Sequence, residues 1–228
     1  MKWSRECIYC HYPLYHLSDG MLKCSRCKAK YSRNRLNKIM NLIHCFCYDE
    51  NALQASKRLH LSYVSVHKYY NIFRQECAKI CENDYNRLRE KTCEYEEYYY
   101  LEHSKRNDKQ AVFDAHNFLT FDYEGHIYTI VMPTLQKYRQ QFINDKLEEI
   151  YAGEFIRFKR KSRIINLSTH LNKIVKFWNY FEHAILMYKG VSVESFPFYL
   201  KEIEFKFNYD LEHRERLLEA SYFARRTN

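Results

Sequence analysis

Cys7-Ile8-Tyr9-Cys10 and Cys24-Ser25-Arg26-Cys27 are the two stretches that decide the fold of the N-terminal part of this chain. Each is a Cys-x-x-Cys pair, a spacing that places two thiolates on one side of a tight turn, and two such pairs complete a tetrahedral four-sulfur shell around Zn²⁺. Between the pairs, Pro13 and the Ser18-Asp19-Gly20 turn predict a short hairpin. Residues 1–35 are therefore predicted to form a zinc ribbon.

The metal in this ribbon is predicted to be structural, because four thiolates leave no coordination position open for water. His11 and His16 are competing ligands in the same segment, and free buried thiols or a redox pair are the alternatives to a metal site. The predicted zinc ligands are Cys7, Cys10, Cys24 and Cys27. The other cysteines have no ligand spacing and are interpreted as small core residues; they are Cys45, Cys47, Cys77, Cys81 and Cys93.

The positive charge is concentrated in the N-terminal part of the chain. Residues 1–93 hold 17 Lys+Arg and 8 Asp+Glu, a net charge of +9, whereas residues 94–228 hold 20 of each. Lys and Arg near phosphates release counterions, so this distribution indicates a polyanion-binding module, with a solvated basic surface as the alternative. The predicted phosphate contacts beside the ribbon are Lys28, Lys30, Arg33 and Arg35.

The remaining composition excludes several classes of protein. No apolar run in the 228 residues approaches the roughly 20 that a membrane span needs. The first twelve residues carry charges and cysteines where a signal peptide has an apolar stretch, which predicts a reducing cytoplasm without disulfides. Only 4 Gly and 3 Pro argue against a turn-rich β-sandwich.

Residues 36–93 have the pattern of a helix-turn-helix. Apolar residues recur at helical spacing from Leu36 to Phe46, and Asp49 or Asn51 is placed to cap a second helix, Ala52 to Leu59. The turn is then 60–62, after which Ser62 caps a third helix that continues as far as Leu88.

The third helix is the predicted recognition helix. Its exposed side chains would face a major groove, with Arg74 nearer the DNA backbone. The alternative is an ordinary three-helix bundle without a DNA-binding role. The residues predicted to face the groove are Tyr63, Ser65, His67 and Lys68.

The C-terminal part, residues 94–228, reads as an α/β body of the RNase H kind. The predicted strands are 94–101, 111–123 and 126–132, and the predicted helices run from Leu135 to Gly153, along the apolar face from Leu171 to Ile185, and from Ser195 to Asn208. Between the first two helices lies a basic strand or loop, 155–165, whose predicted DNA contacts are Arg157, Lys159, Arg160 and Lys161. Taken together, the ribbon, the helix-turn-helix and this α/β body give the whole chain a predicted fold class of α+β.

Five segments resemble one known family. They are Cys7-x-x-Cys10, Cys24-x-x-Cys27-Lys28-x-Lys30-Tyr31-Ser32, Asn172-Lys173-Ile174-x-x-Phe177-Trp178, Tyr188-Lys189-Gly190-Val191 and Tyr199 to Asn208. Together they resemble the DDE-type transposases of small bacterial insertion sequences, in the subgroup that begins with a zinc ribbon and a helix-turn-helix. The resemblance implies an RNase H-like core and phosphoryl transfer by two Mg²⁺ or Mn²⁺ ions held about 4 Å apart by acidic residues.

The acidic residues are where this chain departs from the family. Glu96, in Glu96-Glu97-Tyr98-Tyr99, matches the position of the family's first Asp, and Asn172 matches its third site in the Asn form. The second family Asp has no counterpart, because residues 146–209 contain no Asp. The segment that should carry it is either shortened or rearranged. Glu182, one helical turn past Trp178, could supply a carboxylate from a shifted frame.

Two further acids are candidates. Asp114 and Asp122 lie on the second predicted strand at even separation, hence on one face, and could approach Glu96 across the sheet. The alternative interpretation of each is a solvent-facing acid or a turn cap, and Glu182 has the alternative of a helix-surface role. A two-metal site from Glu96, Asp114 or Asp122, and Glu182 is the resulting hypothesis.

Three functions follow from these patterns. The first is a transposase that binds the terminal inverted repeats of its element as a dimer or larger oligomer, in the cytoplasm at the bacterial nucleoid, and cuts and joins the DNA. The second is a decayed or domesticated transposase that only binds double-stranded DNA. The third is a zinc-stabilised scaffold for other proteins, which would have no DNA affinity at physiological salt.

Overall fold

The computed structural model describes residues 6–10, 12–102, 105, 113–133, 136, 139, 172–188 and 190–224. Within these residues the chain has six helices and two three-stranded antiparallel sheets, so the α+β class is confirmed. The chain divides into two compact units. The first unit comprises Met1–Asp84 together with Lys201–Asn228, and the second comprises Tyr85–Leu200.

The first sheet is the predicted ribbon hairpin with one added strand. Strand β1 (Leu14–His16) pairs with β2 (Met21–Cys24), which pairs with β3 (Lys30–Ser32). The Asp19 carboxylate accepts a hydrogen bond of 2.9 Å from the Met21 N–H, and Gly20 takes a φ of +74°, which favours glycine. The sequence signal at 18–20 thus marks the observed turn.

Three capped helices follow the ribbon, as predicted. They are α1 (Arg33–Cys47), α2 (Ala52–Arg58) and α3 (Tyr63–Leu88). Of the two candidate caps for α2, Asn51 is the one used: it forms a reciprocal capping box with Gln54. The chain leaves α2 through His60, whose φ of +52° lies in the left-handed region, and the Ser62 hydroxyl accepts from the Ser65 N–H at 3.3 Å.

The second unit contains a three-stranded meander covered by a helix. Strand β4 (Glu94–Tyr100) pairs with β5 (His116–Tyr123), which pairs with β6 (His126–Val131). Helix α4 (Lys173–Ile185) buries an apolar stripe that packs on this sheet, with the Phe181 ring 5.4 Å from that of Phe118. The three predicted strands are confirmed, but β5 begins later than predicted, because Phe113 and Asp114 form a 3₁₀ turn before it.

Two C-terminal helices complete the described chain. Helix α5 (Phe196–Asn208) tolerates Pro197 because the proline lies in its first turn, where an N–H has no helical partner. Helix α6 (Leu211–Ala224) was not predicted, although Asp210 caps it by accepting from the His213 N–H at 3.0 Å. Residues 201–228 belong to the first unit, which differs from the predicted 94–228 domain.

The first unit is held together by an apolar core and a buried ionic network. Phe205, Leu218 and Tyr222 share one core with the residues of α1 and α3. Within that unit the Glu202 carboxylate accepts from Arg74 Nε at 2.7 Å and from Lys206 Nζ at 2.8 Å, with all three side chains nearly fully buried. The C-terminal segment is therefore integral to the unit that contains α1 and α2.

The cysteines outside the four-sulfur group differ in burial. Cys45, Cys47, Cys77 and Cys81 are buried as predicted, but Cys93 is exposed, because it lies beyond the end of α3 and outside the helical pattern. The predicted helix 135–153 and the basic segment 155–165, with Arg157, Lys159, Arg160 and Lys161, lie outside the described residues. In the part of the chain that the structure describes, no helix combines the length and apolarity needed to cross a membrane.

Candidate metal centre and nucleic-acid interface

The four predicted zinc ligands converge on one point. Cys7 Sγ lies 3.6 Å from Cys27 Sγ, Cys10 Sγ lies 3.4 Å from Cys24 Sγ, and all four sulfurs are within 4.8 Å of one another. In a tetrahedron with Zn–S bonds of about 2.3 Å, adjacent sulfurs are about 3.8 Å apart. The donor set therefore fits a four-coordinate structural metal such as zinc.

Backbone N–H groups in the two Cys-x-x-Cys turns donate hydrogen bonds to two of the four sulfurs. The Tyr9 N–H points at Cys7 Sγ at 3.4 Å, and the N–H groups of Arg26 and Cys27 point at Cys24 Sγ at 3.3 and 3.4 Å. Desolvation raises the pKa of the Cys24 thiol, but the backbone hydrogen bonds and the adjacent thiols outweigh it and lower the pKa to about 6. The N–H groups therefore favour the thiolate form of Cys24, which is the form that a metal ligand requires.

The ribbon is fixed to the helical part of its unit by aromatic side chains. Tyr31 on β3 is buried, and its ring meets that of Tyr9 edge-to-face at 5.9 Å. Tyr9 in turn packs edge-to-face on Phe223 of α6 at 6.3 Å. The metal site and the helices consequently form one packed body rather than two independent modules.

The predicted basic rim lies on the solvent side of this body. Lys28, Lys30, Arg33 and Arg35 are all exposed. Lys28 follows the second cysteine pair with a φ of +60°, and its Nζ donates to the Ser25 carbonyl at 2.6 Å. Arg33 and Arg35 lie in the first turn of α1, which contains no acidic residue.

The N-terminal half of α3 presents a polar and aromatic surface. The Tyr63 and His67 rings lie 5.6 Å apart, and Asn71 Nδ2 is 3.4 Å from His67 Nδ1. Lys68 is exposed, whereas Ser65 takes part in the cap, because the Ser62 hydroxyl donates to the Ser65 hydroxyl at 2.8 Å. The face of the helix opposite Lys68, with Val66, Tyr70 and Phe73, is buried.

The prediction for Arg74 is wrong. Its guanidinium is buried, with Nε donating to Glu202 at 2.7 Å and Nη1 donating to Asn71 at 2.9 Å. A guanidinium that is buried inside its unit and bound to a carboxylate there cannot reach a DNA phosphate. The sequence alone does not reveal this ion pair, because the partner carboxylate lies 128 residues away along the chain.

Two of the predicted catalytic residues are brought together. Asn172 caps α4 by accepting from the Val175 N–H at 2.9 Å, and its Nδ2 donates to Glu96 Oε1 at 3.2 Å. Glu182 accepts a hydrogen bond from the Tyr98 hydroxyl. Glu96 and Tyr98 lie on the same face of β4, and α4 packs on that face, where the Trp178 ring lies 4.8 Å from the Tyr98 ring at a tilt of 35°.

The two aspartates separate. Asp122 pairs with Glu94 across β4 and β5, so it shares the face of Glu96, and its Oδ1 accepts from the Gly125 N–H at 2.6 Å as a turn cap. The prediction that Asp114 lies on the second strand is wrong, because Asp114 lies in the 3₁₀ turn before β5. Hydrogen bonds from Gln136 at 2.7 Å and Lys105 at 3.1 Å lower the pKa of its carboxyl.

One hydrogen bond in this region was not foreseen. Trp178 Nε1 donates to the Thr120 hydroxyl at 2.9 Å, which joins α4 to the central strand next to Glu96. Within the described residues, the four cysteines are the one group of His, Cys, Asp or Glu side chains close enough together to hold a metal ion.

Comparison of the chain with protein-family models, with curated proteins and with solved structures found no match.

Proposed function

We propose that this protein is a transposase-like protein that binds double-stranded DNA at the ends of an insertion sequence through its zinc ribbon and helix-turn-helix. One observation carries the proposal: the four-cysteine site, the exposed basic rim and the exposed N-terminal face of α3 all lie within one compact unit. A net charge of +9 in residues 1–93 supplies the attraction to a polyanion. An oligomer would bring two element ends together.

The helix termini support an anionic partner. Helices α1, α2 and α3 have no acidic residue in their first turns, although carboxylates there are favourable. Arg33 and Arg35 instead place two cations at the positive end of α1, an arrangement that costs about 0.3–1 kcal/mol for each charge. Phosphates beside this terminus would remove the repulsion, so the arrangement is favourable in a DNA complex.

We expect the Lys30→Gln and Arg35→Gln variants to weaken binding to all duplexes alike, because both side chains are exposed cations of the basic rim that is predicted to contact phosphates. Each lost phosphate contact should reduce the slope of log K against log salt by about 0.9. The measurement is fluorescence anisotropy with labelled duplex DNA over a range of KCl concentrations. Lys91→Gln, which removes a cation of the second unit, is the control with an unchanged slope. Slopes that stay at the wild-type value in both variants would contradict the predicted contacts.

DNA cutting by two-metal phosphoryl transfer is the second candidate function. It is favoured by the placement of Glu96, Asp122 and Asn172 on one face of the sheet, where Asn172 contacts Glu96. A three-stranded meander whose first strand carries the first acid is compatible with an RNase H-like core. Mg²⁺ and Mn²⁺ prefer carboxylate oxygens, and a complete site would need a further acid to approach Glu96, because the described acids alone are not grouped closely enough to hold an ion.

One experiment tests both candidates. Purified zinc-loaded protein is incubated with labelled duplexes from the ends of its own gene locus, with and without added Mn²⁺. A transposase gives site-specific nicks that require Mn²⁺ and disappear in Glu96→Gln without loss of DNA affinity. The matched control is Glu97→Gln, because Glu97 lies on the opposite face of β4, where it accepts from Tyr99 at 2.7 Å.

The outcomes separate the candidates. Retarded but uncut DNA rejects the cutting function and leaves a DNA-binding protein. Nicking that persists in Glu96→Gln removes Glu96 from the site. An absence of any retardation at physiological salt rejects DNA binding and favours the scaffold hypothesis.

A further inference from the structure

The most exposed large apolar side chain in the described part of the chain is on the predicted recognition helix. Val64, in the first turn of α3, is 76% exposed. A β-branched residue is not a favoured helix former, and an exposed one contributes little to stability. The position therefore has no evident function in the folded protein alone.

The neighbouring side chains define two ridges on the outer surface of α3. One ridge is Tyr63, His67 and Asn71, which contact one another in turn. The other is Val64 and Lys68, four residues apart and both exposed. The second ridge combines a compact apolar group at the helix N-terminus with a cation one turn later.

A major groove offers a matching pair of groups. Its floor is polar except for the C5-methyl group of thymine, and its edges carry phosphates. The N-terminal residues of a recognition helix are the ones that reach base edges. Val64 is at that end of the helix, and Lys68 supplies the charge complementary to DNA.

We propose that Val64 is a specificity-determining residue that contacts the C5-methyl group of a thymine in the DNA site. This inference rests on the proposed DNA-binding function. It adds to the predicted contacts a residue that reads sequence through an apolar contact, whereas the basic rim contributes affinity that does not depend on sequence. The stiff side chain of valine loses little freedom on binding, which favours such a contact.

The test uses the full-length zinc-loaded protein and thymine without its methyl group. A binding site is first selected from a pool of random duplexes, and each thymine in it is then replaced by deoxyuridine, which keeps every hydrogen-bonding group. We expect one position at which this replacement weakens binding about fourfold, the factor for one buried methyl group. In Val64→Ala, the factor by which deoxyuridine weakens binding at that position should fall toward one, while the factors at the other positions stay unchanged.

Leu53→Ala is the matched control, because Leu53 is a 52% exposed apolar residue on the preceding helix α2. In this control, replacing the critical thymine by deoxyuridine should weaken binding by the same factor as in the wild type. Binding that is insensitive to deoxyuridine at every position, or an equal loss in Val64→Ala and in the wild type, overturns the assignment while leaving DNA binding intact. A fall in affinity that follows loss of self-association in Val64→Ala, detected by sedimentation, also overturns it. Failure to select any duplex rejects the proposed function itself.

Discussion

The Cys24→Ser variant is expected to lose bound zinc and, with it, the folded ribbon. In the wild type, Cys24 Sγ lies 3.4 Å from Cys10 Sγ and accepts hydrogen bonds from two backbone N–H groups. Without this sulfur the four-ligand metal shell is incomplete. Structural zinc contributes apparent free energies of about 10–16 kcal/mol in isolated fingers, which matches or exceeds the whole stability of a typical domain. Zinc content and amide exchange in β1–β3 measure the effect.

A matched control exists in the same chain. Cys93→Ser changes an exposed cysteine outside the four-sulfur cluster and should keep one zinc per chain and the wild-type exchange pattern. Because zinc ligands must be deprotonated, zinc affinity should fall as the pH is lowered. A Cys24→Ser protein that retains one zinc, or a metal-free ribbon with protected amides, would contradict the assignment.

The Glu202→Gln variant is expected to lower the free energy of unfolding of the first unit by about 3–5 kcal/mol. The substitution keeps the side-chain volume but removes the carboxylate charge that Arg74 and Lys206 share, and Lys206 alone keeps the Asp49 carboxylate at 3.1 Å. Removing one partner of a buried ion pair leaves uncompensated buried charge, which is strongly destabilising. Urea unfolding followed by far-ultraviolet circular dichroism gives the change in midpoint.

An exposed ion pair provides the comparison for this prediction. Glu124 accepts from Lys91 at 2.6 Å, and both side chains are about half exposed. Glu124→Gln should therefore change the stability of the second unit by less than about 1 kcal/mol. If the two substitutions have effects of similar size, the buried network is not what joins α5 to α3.

Much of the local structure was predictable because its causes lie within a few residues. The start of α2, the turn at 18–20 and the first residue of α3 follow from polar side chains that bond the backbone two or three residues on, although the choice of Asn51 over Asp49 as the cap of α2 does not. The strands β4 and β6 were read from patterning over six or seven residues. The prediction for Asp114 was wrong because strand patterning does not show that a 3₁₀ turn stands where the second strand was predicted to begin.

The candidate sites divide in the same way. The zinc ligands were identified from spacing, because a Cys-x-x-Cys turn fixes the relative position of two sulfurs before any tertiary contact forms. The contact between Glu96 and Asn172, 76 residues apart, depends on how α4 packs on the sheet. Sequence analysis proposed both residues from a resemblance, and neither spacing nor charge would have paired them.

The sequence by itself determined the four-cysteine site, the capped helices of the N-terminal part and the three strands that follow, since each is encoded by short-range hydrogen bonding or periodicity. The tertiary structure alone decided that residues 201–224 fold with residues 6–84, and that Arg74 is an internal partner of Glu202 rather than a DNA contact. Periodicity shows that a helix face is buried, but not which distant segment covers it. That choice is made by packing and charge complementarity between segments far apart in the chain.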